Sequence, residues 1–252
     1  IGLVLFAVGG TIAAVALTWL ILEEQPNAAY RTMTSVPQQT LQDPNKNGYL
    51  LLLGLGAAAT QDPVQVGIDR RVEGADRAFT HTCLTGEGYA PDAGLSASAD
   101  AASKWMKAAD PALQMQMDAT GVKTWLSQAE VGLSRYRQWL NKPFEDVGYG
   151  QSISPNCGLI LQTHRLYLAD GFAQDVDTGI GRLETDLTAW RTVLGQAKSL
   201  PVKMLASAAM NDDLAVMGGL LQRSDLDERY VSRMAKLARP LESSEQSLRW
   251  PM

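Results

Sequence analysis

Leu183–Ala209 reads LETDLTAWRTVLGQAKSLPVKMLASAA. Leu183, Leu187, Trp190 and Leu194 recur at spacings of three and four, and beyond Leu200-Pro201 the same spacing returns in Val202, Leu205 and Ala209 and runs on to Val216 and Leu220. Side chains three and four positions apart share one face of a helix, so each run predicts an amphipathic helix. Proline restricts the residue before it and suits a helix's first turn, so Pro201 separates the two runs. A link this short favours antiparallel neighbours. Trp190, with Leu183, Leu187 and Leu194, is therefore expected to be buried against Val202, Leu205 and Ala209.

The same grammar extends in both directions. Val122, Trp125, Leu126, Ala129, Leu133, Tyr136 and Leu140 predict one helix from Gly121 that Pro143 ends, and Leu161, Leu168 and Phe172 form a further stripe. Asp62-Pro63 and Asp110-Pro111 each place a capping carboxylate before a proline, and the first opens a helix to about Ala75. Tyr49 to Ala59 carries no charge and is too short to cross a membrane, so it reads as a short buried helix ended by glycine. Cys83 to Leu95, with Gly86, Gly88, Pro91 and Gly94, is a loop. Alternating strand patterns with Asn-Gly or Asp-Gly turns are missing, and no fixed repeat is found. The fold class expected is all-α.

Residues 1–22 differ from the rest. Ile1 to Leu22 contain no charged residue or histidine, and at about 1.5 Å per residue they reach about 33 Å, the depth of a bilayer's hydrocarbon core. Ala14-Val15-Ala16 has the form of a signal-cleavage site, but the apolar run continues through Leu22, so an uncleaved transmembrane anchor is expected. Gly9 and Ala13, and Gly10 and Ala14, put small residues four apart, where another helix can approach closely. The flank that follows, Glu23-Glu24, is acidic, with no Lys or Arg until Arg31, which puts the large part of the chain on the periplasmic side of a bacterial inner membrane. Residues 23–47, with Pro26, Pro37 and Pro44 and few bulky apolar groups, read as an extended linker, and residues 48–252 as the helical soluble domain.

A formal net charge of -5 and a pI near 5.1 exclude a general attraction to nucleic acid, which needs clustered Lys and Arg. Cys83 and Cys157 carry no zinc or haem spacing and, on the oxidising side of a membrane, are expected to form a disulfide. His81 and His164 are the chain's only histidines, and both read as structural or surface residues. The sequence has no G-x-S-x-G elbow, S-x-x-K pair, phosphate loop or calcium-binding loop. Asp175-Val176-Asp177 and Asn211-Asp212-Asp213 read as caps or solvated faces, and Trp125, Trp139 and Trp190 as core. No catalytic residue, cofactor or metal is expected.

Asn47-Gly48-Tyr49-Leu50-x-Leu52-Leu53-Gly54-Leu55, Asp62-Pro63-x-x-x-Gly67, Asp186-Leu187-x-x-Trp190-Arg191 and Ser199-Leu200-x-x-Lys203-Met204 resemble segments of proteobacterial proteins with one N-terminal membrane helix. The resemblance covers about a third of the chain. It implies an inner-membrane location and assigns no functional residue. Together these readings point to a non-enzymatic accessory, assembly or scaffold subunit of an inner-membrane complex. Its expected partners are membrane lipid and other subunits, held through the anchor and the linker. The alternatives are a periplasmic envelope-acting enzyme using Glu130 or Glu184 in a helical cleft, and a lipid- or ligand-binding helical module.

Overall fold

Carboxylates and amides begin the helices where the sequence places them. The computed structural model describes residues 43–75, 93–146 and 155–247. After a 3-10 turn at Pro44–Lys46 come α1 (Gly48–Leu53), α2 (Pro63–Ala75), α3 (Ala93–Met106), α4 (Pro111–Met117), α5 (Ala119–Gln128) and α6 (Glu130–Trp139). They are followed by α7 (Cys157–Phe172), α8 (Val176–Gln196), α9 (Leu200–Leu221), α10 (Glu228–Leu237) and α11 (Ser243–Gln246). Among the described residues there is no strand, and the fold is all-α. Asp62 Oδ1 accepts from the Val64 N–H at 2.9 Å and Asp110 Oδ1 from that of Leu113 at 2.9 Å, each with proline opening the helix. Asn156 and Asp175 cap α7 and α8 in the same way. Each cap satisfies an amide that the helix itself leaves without a partner.

Helix α7 is the axis of the core. Helices α3, α4, α5, α6, α8 and α9 all pack on it, and 12 of its 16 residues are buried, so it has no wet face. That enclosure carries His164 inside. The α8/α9 hairpin forms as expected: Leu183, Leu187, Trp190, Val202 and Ala209 are fully enclosed, and Leu194 and Leu205 nearly so. Buried Asp146 accepts from the Lys198 and Ser199 N–H groups at 2.8 and 3.2 Å and so supplies the cap that α9 lacks from its own side chains. Lys203 Nζ donates to the Leu194 carbonyl at 2.8 Å, closing the hairpin. Arg191 clasps Glu245 through two bonds of 2.9 Å and fastens α11 to α8.

Helices α1 and α2 meet backbone to backbone. A Cβ on Gly67 would stand 1.9 Å from the Leu50 carbonyl oxygen, and one on Gly54 would stand 1.7 Å from that of Pro63. All six residues of α1 are buried. Arg135 of α6 donates to the carbonyls of Leu55, Ala57, Ala58 and Gln61, holding the α1–α2 connection against the bundle.

The bounds of two elements change on the tertiary structure: the loop read from Cys83 to Leu95 gives way to α3 at Ala93. The single helix predicted from Gly121 to Leu140 is divided at Ala129, whose backbone leaves the helical region (φ -107°, ψ 16°) so that α5 and α6 each lie against α7. Asn47 is buried, its side chain accepting from the Tyr49 and Glu145 N–H groups and donating to the Glu145 carbonyl.

The chain divides into units of residues 1–36 and 37–252, and the described residues fall in the second. The expected anchor, Ile1 to Leu22 with Gly9, Gly10, Ala13 and Ala14, lies outside the described residues, among which no helix is long and apolar enough to cross a membrane. Cys157 is buried at the start of α7, while Cys83 lies outside the described residues, as does His81.

Candidate functional site

Four helices bring polar groups to one point inside the bundle. Tyr136 (α6), His164 (α7), Asp186 and Trp190 (α8) and Asp213 (α9) are all fully buried. The Trp190 indole N–H donates to the Tyr136 hydroxyl at 2.8 Å, which donates to Asp186 Oδ1 at 2.7 Å. Asp186 Oδ2 lies 2.7 Å from His164 Nδ1. A carboxylate only accepts, so Nδ1 carries a proton in this arrangement. Nε2 has no hydrogen-bond partner among the described residues. It lies 4.0 Å from Asp212 Oδ2, which Arg165 Nε holds at 2.6 Å.

Asp213 is the anomaly. Neither of its oxygens has a hydrogen-bond partner among the described residues, yet the side chain is fully enclosed. Burial, then the charges of Asp186 and Asp212, push its carboxyl well above the usual carboxylate range. Burial and the Asp186 charge likewise raise the Tyr136 hydroxyl well above its ordinary value, so it stays a neutral donor. Aromatic rings line the site: the Trp139 ring lies tilted, its centre 4.7 Å from that of Trp190 and 5.0 Å from that of Tyr136, and His164 meets Trp190 edge-on at 6.4 Å. In so apolar a surround, a lone carboxylate is expensive. His164, Asp186 and Asp213 each offer one ligand atom, and these atoms all lie within 4.8 Å of one another.

The reading of Asn211-Asp212-Asp213 as a cap or solvated face is thus overturned: only Asn211 is exposed, while Asp212 and Asp213 turn inward. His164 is buried and not on the surface. Asp175 does cap a helix, and Asp177 is exposed and paired with Arg233. A sequence signal for the centre existed. Asp186 stands three positions after Leu183 and four before Trp190, His164 three after Leu161 and four before Leu168, and Asp213 four after Ala209 and three before Val216. Each polar residue therefore lies on an apolar stripe, where a side chain is carried into the core.

The carboxylates proposed for an enzyme are placed otherwise. Glu130 is exposed at the start of α6. Glu184 lines an open groove of about 410 Å³ with Trp139, Phe144, Thr188 and Val193, and is gripped by Arg233 through bonds of 2.8 and 2.7 Å. The structure does not bring either one to the buried centre.

A second feature lies on the outside of α9. Its three charged residues, Lys203, Asp212 and Asp213, are the buried ones. Leu200, Met204, Leu214 and Leu221 project outward, 47%, 62%, 47% and 49% exposed, with Ser207, Ala208, Asn211 and Ala215 between them. On α4, which packs against α9, Leu113 and Met117 are exposed too. Comparison with protein-family models, with curated proteins and with solved structures finds no match to this chain.

Proposed function

We propose that this protein is a non-enzymatic accessory or scaffold subunit of an inner-membrane complex, tethered by residues 1–22 with its helical domain in the periplasm. The observation that carries the reading is the inverted polarity of α9, whose charges face the core while its outer face is uncharged for the helix's length, about 33 Å, with Leu200, Met204, Leu214 and Leu221 exposed on it. Exposed apolar surface rimmed by polar groups marks interaction sites. The occupant that fits is an uncharged apolar helix of another subunit, because a partner carrying charges here would lose their hydration and gain no counter-charge.

The apolar character of residues 1–22, the small residues Gly9, Gly10, Ala13 and Ala14, and the resemblance to proteobacterial single-anchor proteins support the membrane location. The expected partners are other subunits and lipid, with no nucleic acid. A disulfide between Cys83 and Cys157 belongs to the same reading, since it requires an oxidising compartment.

The test is native electrophoresis of membranes solubilised in mild detergent. The wild-type chain is expected in a species much larger than itself, and the double variant Met204→Asp, Leu214→Asp in the membrane fraction but released from that species. A wild-type chain that migrates alone refutes the proposal. So does a purified chain that reaches the same size unaided, which would make the α9 face a self-association surface.

A further inference from the structure

We propose that His164, Asp186 and Asp213 hold a divalent transition-metal cation, Zn²⁺ by preference, in a structural site at the centre of the bundle. Three polar atoms in the cluster have no hydrogen-bond partner among the described residues: His164 Nε2 and both oxygens of Asp213. One ion among these residues gives the Asp213 carboxylate its partner. With the ion on Nδ1, in the place of the proton that His164 shares with Asp186, the imidazole proton moves to Nε2. There it faces Asp212 Oδ2, 4.0 Å away, a carboxylate already oriented by Arg165. A ligating histidine whose other ring N–H points at a carboxylate is the usual outer arrangement of a metal site. Asp213 gains a positive partner, and two carboxylates with one divalent ion are neutral overall, which removes the cost of burying like charges together.

The surrounding groups suit this role. Asp186 receives the Tyr136 hydroxyl at 2.7 Å, and Tyr136 is held by Trp190 at 2.8 Å, so the carboxylate is fixed by a chain of bonds that continues into the core. Its oxygens keep lone pairs beyond those bonds. In a tetrahedral site with bonds of about 2.1 Å, ligand atoms stand about 3.4 Å apart. The atoms here lie within 4.8 Å of one another; His164 Nδ1 and Asp186 Oδ2, 2.7 Å apart, need to open by about 0.7 Å to that spacing, and Asp213, whose oxygens have no hydrogen-bond partner among the described residues, needs to draw inward. One imidazole and two carboxylates favour Zn²⁺ over Mg²⁺ or Ca²⁺, which take six or more oxygen ligands. Full burial of all three residues makes the ion a clamp across α7, α8 and α9 that is taken up as the helices close.

The experiment uses the full chain in detergent, stripped with a chelator, dialysed against Zn²⁺ and assayed for retained metal and thermal unfolding. About one Zn²⁺ per chain is expected, with a rise in Tm of roughly 5–10 °C at a free ion concentration 100-fold above Kd and little response to Mg²⁺. Asp213→Asn, which removes a carboxylate with no hydrogen-bond partner among the described residues, is expected to stay helical by circular dichroism and to lose both responses. Retention below half an equivalent, or an Asp213→Asn variant that takes up Zn²⁺ as the wild type does, overturns the proposal. Co²⁺ loaded into the wild type gives a reading independent of any variant. Intense visible bands of a tetrahedral nitrogen–oxygen site are expected, and a weak octahedral spectrum or a thiolate charge-transfer band would refute the assignment.

Discussion

Replacing Gly67 by alanine sets helix propensity against packing, with opposite signs. Gly67 lies inside α2, where alanine is worth about 1 kcal/mol more than glycine to the helix. Against this, the new methyl would stand 1.9 Å from the Leu50 oxygen and 2.8 Å from its carbonyl carbon, and ordinary contact begins at 3.4 Å. The obstacle is backbone, so α1 and α2 must part by about 1.5 Å, the difference between 3.4 and 1.9 Å. A shift of that size forfeits much of the dispersion contact along α1, whose residues are all buried, and overpacking of this kind costs roughly 3 kcal/mol or more. Packing wins, and Gly67→Ala is expected to lose about 2–4 kcal/mol in urea unfolding followed by tryptophan fluorescence. Gly218→Ala is the control. Gly218 lies in α9 with nothing within 4 Å of an added methyl, so propensity acts alone and the variant should gain about 0.5–1 kcal/mol. Equal stabilisation by both substitutions would show that α1 and α2 do not meet as described.

Tyr136→Phe deprives Asp186 of one donor and the Trp190 N–H of its acceptor, and should cost about 2–4 kcal/mol in the same assay; a loss under 0.5 kcal/mol would show that these bonds contribute nothing. Burial alone would raise the carboxyl of Asp110, but the Arg223 guanidinium and the Leu113 N–H outweigh it and hold the group below its ordinary 3.8. A depressed acid contributes stability that is present above its unfolded value and lost as pH falls through the folded one. Asp110→Asn, which keeps a capping side chain, should therefore cost about 1–2 kcal/mol at pH 6 and progressively less below about pH 4, and a penalty independent of pH would exclude the ion pair as its source. Alkylation of the unfolded, unreduced protein should leave Cys83 and Cys157 unlabelled until a reductant is added; labelling of both beforehand would exclude their disulfide.

Much of the fold was legible in the sequence because helices announce themselves locally. Asp62-Pro63 and Asp110-Pro111 opened helices as read, since a cap is a contact between residues two or three apart. The stripes of Leu183, Leu187 and Trp190 and of Val202, Leu205 and Ala209 were buried as read, since spacing alone assigns a face. The break at Ala129 was not legible, because two helices and the axis they share decide it together. The buried centre was half legible. Asp186, His164 and Asp213 each sat on an apolar stripe, but one polar residue on one stripe is a local oddity; only packing α7, α8 and α9 together brings their ligand atoms within 4.8 Å. The polarity of α9 needed the tertiary structure most. Its sequence offers apolar and acidic residues on several sides, and the bundle turned Asp212 and Asp213 inward toward Arg165 and the His164 cluster, leaving Met204 and Leu214 outside.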